Sequence, residues 1–397
     1  MSERTFLYIH KIIRFDDVLT RRGQRNDDKF APIRNLWEKW SEQLPIFYNP
    51  NDCVTVDEQL LGFHGRCKFR QYIPSKPERY GLKFWLLVDS RTCYVWKIQP
   101  YLGKGVTGNT ERNQGERVVL DLVDGLKGHN VTMDNFFSSH SLGQKLLQKQ
   151  MTMVGTMRKN KRSIPPKLLN CKKVPRYEST FAFTPDTTLV SYISHKNKCT
   201  VVMSTLHHAP NIENESKKLP EIISFYNSTK GGVDTVDKML SCYSYKRKTN
   251  RWTMAVFSNI IDISALNSYI LYNDIDPNWK KTQKHTKRKC FLHELAISLA
   301  KPYMEKRKKG AKNELSSALL YKLSFQNISD TSNNDTGPSK KQKNDKSPKK
   351  NRARCQKCYH SGEHKNKWTS SFCFLCKTPC CTERHAKNIC IDCIHNT

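Results

Sequence analysis

The feature that most restricts the fold of this chain is the order of predicted strands and helices in its first half. β-Branched and aromatic residues predict three strands, at residues 54–56, 82–88 and 93–98. The periodicity then predicts a helix at 116–126, a strand at 130–133, a helix at 141–150 and a strand at 153–157. An antiparallel meander therefore leads into alternating helices and strands, which is typical of an α/β domain.

The order strand, strand, strand, helix, strand, helix, strand predicts a ribonuclease-H-like core with a mixed sheet. Residues 161–220 are less regular, and we interpret them as a β-rich insertion with strands near 188–193 and 200–204. Further helices are predicted within residues 1–50 and at 233–242, 253–272 and 280–312.

The charge of the chain indicates a polyanionic partner. Lys and Arg outnumber Asp and Glu 68 to 36, which gives a formal net charge of +32. Basic side chains on phosphates release counterions, so nucleic acid is the expected partner, and a merely solvated basic surface is the alternative. We find neither a signal peptide nor an apolar run that would span a bilayer, so we expect no membrane partner and reduced cysteines.

Four aspartates are candidates for a catalytic metal site. Asp57 follows the first predicted strand and Asp134 follows the fourth, while Asp234 and Asp237 project from one face of a predicted helix. In the predicted core these places are neighbours, so the carboxylates are expected to converge. Converging carboxylates need cations, and Mg²⁺ (or Mn²⁺) takes oxygen ligands. Each aspartate by itself is more often a turn or helix-cap residue.

Several long segments resemble piggyBac transposases, in the order found in that family. Those that resemble the three catalytic blocks are VTVDEQLL at 54–61, VTMDNFFSS at 131–139 and YNSTKGGVDTVDKM at 226–239. The segment RKTNRWTMA at 247–255 follows as in the family, and DKFAPIRNLW at 28–37 is similar to the block that precedes the core.

The resemblance implies a cut-and-paste DNA transposase with a ribonuclease-H-like fold. It implies that Asp57, Asp134 and Asp234 bind divalent metal, with Asp237 close by and also required. The implied reaction nicks the transposon end, forms and reopens a hairpin, and inserts the element at TTAA. Its implied partners are double-stranded DNA and a second copy of the chain, as a homodimer.

The resemblance also implies a division of the chain. A dimerisation and DNA-binding region is expected at 1–50 and 244–323, the core at 51–160 and 221–243, the insertion at 161–220, a basic linker at 324–354 and a cysteine-rich domain at 355–397. Trp252 matches a tryptophan near the active site, where it would stack on an unpaired base, and a core role is its alternative. Arg251 and Lys248 are the DNA-binding candidates beside it.

The C-terminal cysteines predict two structural Zn²⁺ sites. Three Cys-x2-Cys pairs and one Cys-x3-His pair supply eight ligands, namely Cys355, Cys358, Cys373, Cys376, Cys381, His385, Cys390 and Cys393. Interleaved pairing is expected by analogy with cross-brace modules, and His360, His364 and Cys380 are alternative ligands. The module resembles the family's domain that binds transposon-end DNA; a protein-binding finger is the alternative.

Two functions follow from these observations. The complete set of aspartates favours an active transposase, and a domesticated DNA-binding or chromatin-associated protein is the alternative. The chain begins at the block where family members usually carry a preceding acidic segment, so we expect a shortened copy or an incomplete chain. The basic residues 340–354 predict nuclear localisation or a phosphate-binding arm, and a solubilising linker is the plain alternative.

Overall fold

The strand Cys53–Gly62 (β1) is the centre of the sheet that organises this chain. We describe the fold from a computed structural model, which covers residues 2–17, 28–103, 111–170, 174–214, 216–283 and 285–310 and two short C-terminal strands. β1 pairs antiparallel with Tyr80–Asp89 (β3) and parallel with Asn130–Met133 (β5). A strand buried on both sides in this way needs the apolar residues that flank Asp57, such as Val54 and Val56, which are fully buried.

The other strands extend this sheet on both sides. They are Gln71–Tyr72 (β2), Val95–Pro100 (β4), Thr152–Thr156 (β6), Ser179–Phe183 (β7), Thr188–His195 (β8) and Lys198–Ser204 (β9). The sheet order is β2-β3-β1-β5-β6-β9-β8-β7, and β4 also pairs with β3. A mixed α/β fold is confirmed, because the antiparallel strands β4, β3 and β1 adjoin the parallel strands β1, β5 and β6. β7, β8 and β9 come from the predicted insertion and continue the same sheet through the β6–β9 pair. Ile212–Asn214 (β10) and Leu219–Pro220 (β11) form a separate pair.

The predicted strand at 54–56 was too short. β1 continues through Asp57 to Gly62, with antiparallel pairs from Val54–Asp89 to Gly62–Gly81. Asp57 therefore lies inside a strand and not after its end. The segment Asp-Glu-Gln at 57–59 is polar, so hydropathy does not predict a strand there, although its backbone is paired with β3.

Nine helices surround the sheet in the described part of the chain. They are Glu3–Ile12 (α1), Arg34–Ser41 (α2), Gln114–Leu122 (α3), His140–Gln148 (α4), Pro166–Leu169 (α5), Glu221–Thr229 (α6), Gly232–Cys242 (α7), Trp252–Ile275 (α8) and Lys287–Gly310 (α9), with 3₁₀ turns at Ala31–Ile33 and Lys281–Gln283. α1, α2, α3, α4, α7, α8 and α9 match predicted helices, whereas α5 and α6 were missed.

Gly232 brings α7, the helix that carries Asp234 and Asp237, against the sheet. A Cβ at Gly232 would lie 2.6 Å from Val88 Cγ2 and 2.9 Å from Thr55 Oγ1, both of which belong to the sheet. Because only glycine leaves this space, the residue sets how closely the two aspartates approach β1.

α8 is a core helix that is also long and apolar enough, by length and composition alone, to cross a membrane. From the sequence, no membrane-spanning run is predicted, at this helix or elsewhere. Most of its apolar window is buried. Asn267 donates to the Val95 carbonyl at 2.9 Å and accepts from the Val95 N–H at 3.0 Å, so this polar side chain of the helix is hydrogen-bonded to the sheet. These bonds identify α8 as a buried layer of the protein.

The C-terminal part of the chain forms a second unit, residues 315–397. Within it the structure describes one antiparallel pair, Ala353–Arg354 with Trp368–Thr369. All eight predicted Zn²⁺ ligands and the basic segment 340–352 lie outside the described residues.

Candidate active site

Asp57 and Asp134 stand side by side at the end of the parallel ladder between β1 and β5. The last pair of that ladder is Val56 with Met133, and the next residue of each chain segment is an aspartate. Burial raises the pKa of Asp57, and the charge of Asp134 adds to the rise. The structure therefore brings these two predicted site residues together.

Both carboxylates are costly to ionise where they lie. Burial raises the pKa of Asp57 from its usual 3.8 to about 7, and the charges of Glu58 and Asp134 add to this effect. Burial also raises the pKa of Asp134, with a further contribution from Glu58. Backbone N–H groups of Glu58 and Phe136 donate to the Oδ1 atoms of Asp57 and Asp134, at 2.7 and 2.8 Å, and orient them.

The chemistry of this donor set suits a divalent cation. Two interacting carboxylates in a poorly solvated place favour protonation, and a cation bound between them would favour the charged form instead. Their oxygen atoms are the ligands that Mg²⁺ and Mn²⁺ prefer.

Asp237 is held by a buried chain of hydrogen bonds from β1 and α8. Gln59 Nε2 donates to Asp237 Oδ1 at 2.7 Å, and Asn259 Nδ2 donates to Gln59 Oε1 at 2.9 Å. Burial raises the pKa of Asp237 to about 6, and the bond from Gln59 opposes that rise. The Gln59 amide is thus fixed with its N–H toward Asp237 Oδ1. Oδ2, the other oxygen of this carboxylate, is not the acceptor of that hydrogen bond.

Asp234 is placed differently from the other three aspartates. Its side chain is 73% exposed, and its Oδ1 lies 3.9 Å from the ammonium nitrogen of Lys76. Asp234 and Asp237 line a cleft of about 770 Å³ together with Gln59 and Lys76. Among the described residues no group of three or more His, Cys, Asp or Glu side chains is gathered tightly enough to hold a metal ion. In this conformation, then, the Asp57–Asp134 pair is assembled and the α7 aspartates border a neighbouring cleft.

Comparison with known proteins identifies the family of this chain. A family model described as Transposase IS4 matches residues 1–269. The chain belongs to the piggyBac transposase family. It is 36% identical to the protein in the cryo-EM structure of a piggyBac transposase synaptic complex with hairpin DNA, with a TM-score of 0.73 over 99% of this chain and 80% of that one.

Two human relatives also match this member of the piggyBac family. It is 27% identical over 269 residues to PiggyBac transposable element-derived protein 3, covering 63% of this chain and 45% of the relative. The chain is also 27% identical over 269 residues to the human chimeric ERCC6-PGBD3 protein, and the match covers 25% of that protein's length. The chain thus spans less than half the length of these curated relatives.

The three predicted DNA-binding residues of this family member have different surroundings. Trp252 packs against Phe30 and Phe69, with ring centroids 5.6 and 5.1 Å away, and it also lines a basic cleft of about 660 Å³. Arg251 donates to the backbone carbonyls of Lys11 and Ile13, at the end of α1. Lys248 is exposed. Trp252 therefore has both a core contact and an open face, while Arg251 ties α1 to the start of α8.

Sequence reasoning missed several groups around the aspartates. Burial raises the pKa values of Asp57 and Asp134, and the charge of Glu58 adds to both rises. Lys76 offsets part of the rise at Asp57, and Arg158 offsets part of the rise at Asp134. Tyr226, whose pKa is raised by burial, also feels the charges of Asp134 and Asp57. Gln59 was within reach of sequence reasoning, because it lies two residues after Asp57 and so shares its face of a strand. Lys76 lies in the segment YIPSKP at 72–77, which also resembles the family's first catalytic block, but its position in a loop gives no spacing that predicts contact with the aspartates.

Proposed function

We propose that this chain is a piggyBac-like DNA transposase, with a ribonuclease-H-like core that cleaves and joins DNA using Mg²⁺ or Mn²⁺ at Asp57, Asp134 and the Asp234/Asp237 pair. The observation that carries the proposal is the adjacent pair Asp57 and Asp134 at the end of the β1–β5 ladder, where burial raises the pKa of Asp57 to about 7 and the charges of Glu58 and Asp134 add to the rise. Family membership supports the same chemistry, since transposases of this type use divalent metal.

Each residue of the site has a part in this reaction. When bound, divalent cations activate the attacking oxygen and stabilise the leaving oxygen of a phosphodiester. Asp57 and Asp134 would bind them from the sheet, where backbone N–H groups already orient both carboxylates. Asp237 is aligned by Gln59, and movement of α7 or of the Asp234 side chain would complete the ligand set.

DNA is the proposed substrate and a second copy of the chain the proposed partner. The structural relative was determined with hairpin DNA, which supports hairpin formation here, and TTAA insertion follows from the family resemblance. The open face of Trp252 beside Arg66 and Lys68 suits an unpaired base next to backbone phosphates. We place the protein in the nucleus, where such DNA is found.

We further propose that the eight cysteine and histidine ligands at 355–393 hold two Zn²⁺ ions and bind transposon-end DNA. Zinc analysis of the purified chain should give about two Zn²⁺ per molecule by the ligand count. Cys373→Ser with Cys376→Ser should lower that count and weaken end binding, while Mg²⁺-dependent nicking of a pre-bound end should persist. An unchanged zinc content would contradict the assignment.

The test of the main proposal is cleavage of the element's own ends. A plasmid that carries the terminal repeats flanking the gene should give nicks and hairpins with Mg²⁺, and none with Asp57→Asn or Asp134→Asn. Both variants should still bind the ends, as measured by gel shift. Absence of cleavage by the unaltered chain on verified ends would refute it.

A domesticated DNA-binding protein is the second candidate. It is favoured by the human relative, whose name describes it as transposable element-derived, and by the exposed position of Asp234. Terminal inverted repeats flanked by TTAA around the gene would weigh against it. A DNA footprint that is identical with and without Mg²⁺, in the absence of cleavage, would support it.

A further inference from the structure

Lys76 places an ammonium group among the aspartates of α7 and β1. Its Nζ donates to the carbonyl oxygen of Glu58 at 3.1 Å and lies 3.9 Å from Asp234 Oδ1. Its side chain is 20% exposed, so water screens the charge only in part. The ammonium therefore sits at the border between the strand that carries Asp57 and the helix that carries the other two aspartates.

The loop between β2 and β3 presents this lysine in a fixed way. The Ile73 N–H donates to the Arg79 carbonyl at 2.8 Å, and the Lys76 N–H donates to the Ile73 carbonyl at 3.2 Å. These bonds close a tight turn with Lys76 inside it. The long side chain still has rotatable bonds, so the charge can withdraw without unfolding the turn.

The charge of Lys76 acts on three carboxylates at once. Burial raises the pKa values of Asp57 and Asp237, the charge of Lys76 offsets part of both rises, and the ammonium lies 3.9 Å from Asp234 Oδ1. Two other lysines line the cleft: Lys238 is exposed, and Lys246 donates to the Gly62 carbonyl. The charge of Lys76 therefore acts on aspartates of both the sheet and the helix.

We propose that Lys76 is a built-in competitor of the catalytic cation, which neutralises the aspartates in the metal-free protein and withdraws when a divalent ion binds. The proposal rests on the proposed metal-dependent function. It accounts for the position of the Asp234 carboxylate, which is 73% exposed and lies 3.9 Å from the lysine ammonium. An ammonium and a divalent ion repel each other, so each weakens the binding of the other to the same group of carboxylates.

Removing the lysine charge should therefore strengthen metal binding. A unit charge about 5 Å from a divalent ion, in water-like surroundings, changes the binding constant about tenfold. Lys76→Met keeps the length of the side chain and removes the charge. Lys238→Met is the matched control, because it removes one charge from an exposed position in the same cleft.

The experiment measures Mn²⁺ binding to the full chain without DNA, by the electron paramagnetic resonance signal of free Mn²⁺ at low salt. Lys76→Met should bind Mn²⁺ about tenfold more tightly, Lys76→Arg about as the unaltered chain does, and Lys238→Met within about twofold. In EDTA at pH 8, Lys76→Met should also unfold at a lower temperature than Lys238→Met, because the aspartates have lost their neutralising charge.

The possible outcomes separate the inference from the function on which it rests. Mn²⁺ binding that is unchanged or weaker in Lys76→Met overturns the competitor role, and so does an equal gain in Lys238→Met. Loss of DNA affinity with unchanged Mn²⁺ binding would assign Lys76 to phosphate instead and likewise overturn it. If the unaltered chain does not bind Mn²⁺, or if Asp57→Asn binds it equally well, the proposed metal function itself is wrong. If Lys76→Met does not fold, Lys76→Gln provides the same comparison.

Discussion

Replacing Asp57 with Asn should make the metal-free protein more stable, increasingly so as the pH rises. Burial raises the pKa of Asp57 from 3.8 to about 7, so the folded chain keeps a proton that the unfolded chain releases. Between these two values the free energy of unfolding should fall by about 1.4 kcal/mol per pH unit, and above pH 7 the loss stays constant at no more than about 4 kcal/mol. Asn carries no such proton and removes this slope.

The assay is urea unfolding in EDTA between pH 5 and pH 8, followed by tryptophan fluorescence. The stability of Asp57→Asn relative to the unaltered chain should grow by about 3 kcal/mol across this range, because about two pH units lie below the raised pKa. Asp274→Asn, at an exposed site, is the control and should show no such growth. Adding Mg²⁺ should reverse the order by stabilising only chains that retain Asp57. A difference that is independent of pH would refute the reasoning.

Three further perturbations test the supports of the site. Gly232→Ala would press its Cβ to 2.6 Å from the sheet and should cost about 1–3 kcal/mol of stability, seen as a lower melting temperature; Gly231→Ala, with nothing within 4 Å, should cost much less. Gln59→Leu removes the bond that lowers the pKa of Asp237, so the pH–rate profile of cleavage should move to higher pH, and an unmoved profile would contradict this. Trp252→Ala should reduce hairpin yield more than nicking, whereas equal losses would favour its core role.

The sheet and the first two aspartates were predictable for a physical reason. Apolar strands separated by amphipathic helices leave a strong pattern, and Asp57 and Asp134 follow apolar residues of neighbouring strands. The extent of β1 was not predictable, because Asp57, Glu58 and Gln59 are polar although their backbone is paired with β3.

The surroundings of the α7 aspartates could not be read from the sequence. Helical spacing places Asp234 and Asp237 on one face, but it does not show that one is exposed and the other buried. That difference depends on partners from distant segments: Lys76 from a loop and Asn259 from α8. The roles of Arg251 and Trp252 likewise depend on contacts across the chain.

The central claim, that Asp57 and Asp134 bind the catalytic cation, is tested most directly by changing the metal preference. A cysteine sulfur binds Mg²⁺ poorly and Mn²⁺ much better. Asp134→Cys should therefore lose cleavage of the transposon ends in Mg²⁺ and regain it in Mn²⁺, while the unaltered chain works in both. Cleavage by Asp134→Cys that is undiminished in Mg²⁺, or equally lost in both metals by a folded, DNA-binding protein, would contradict the account.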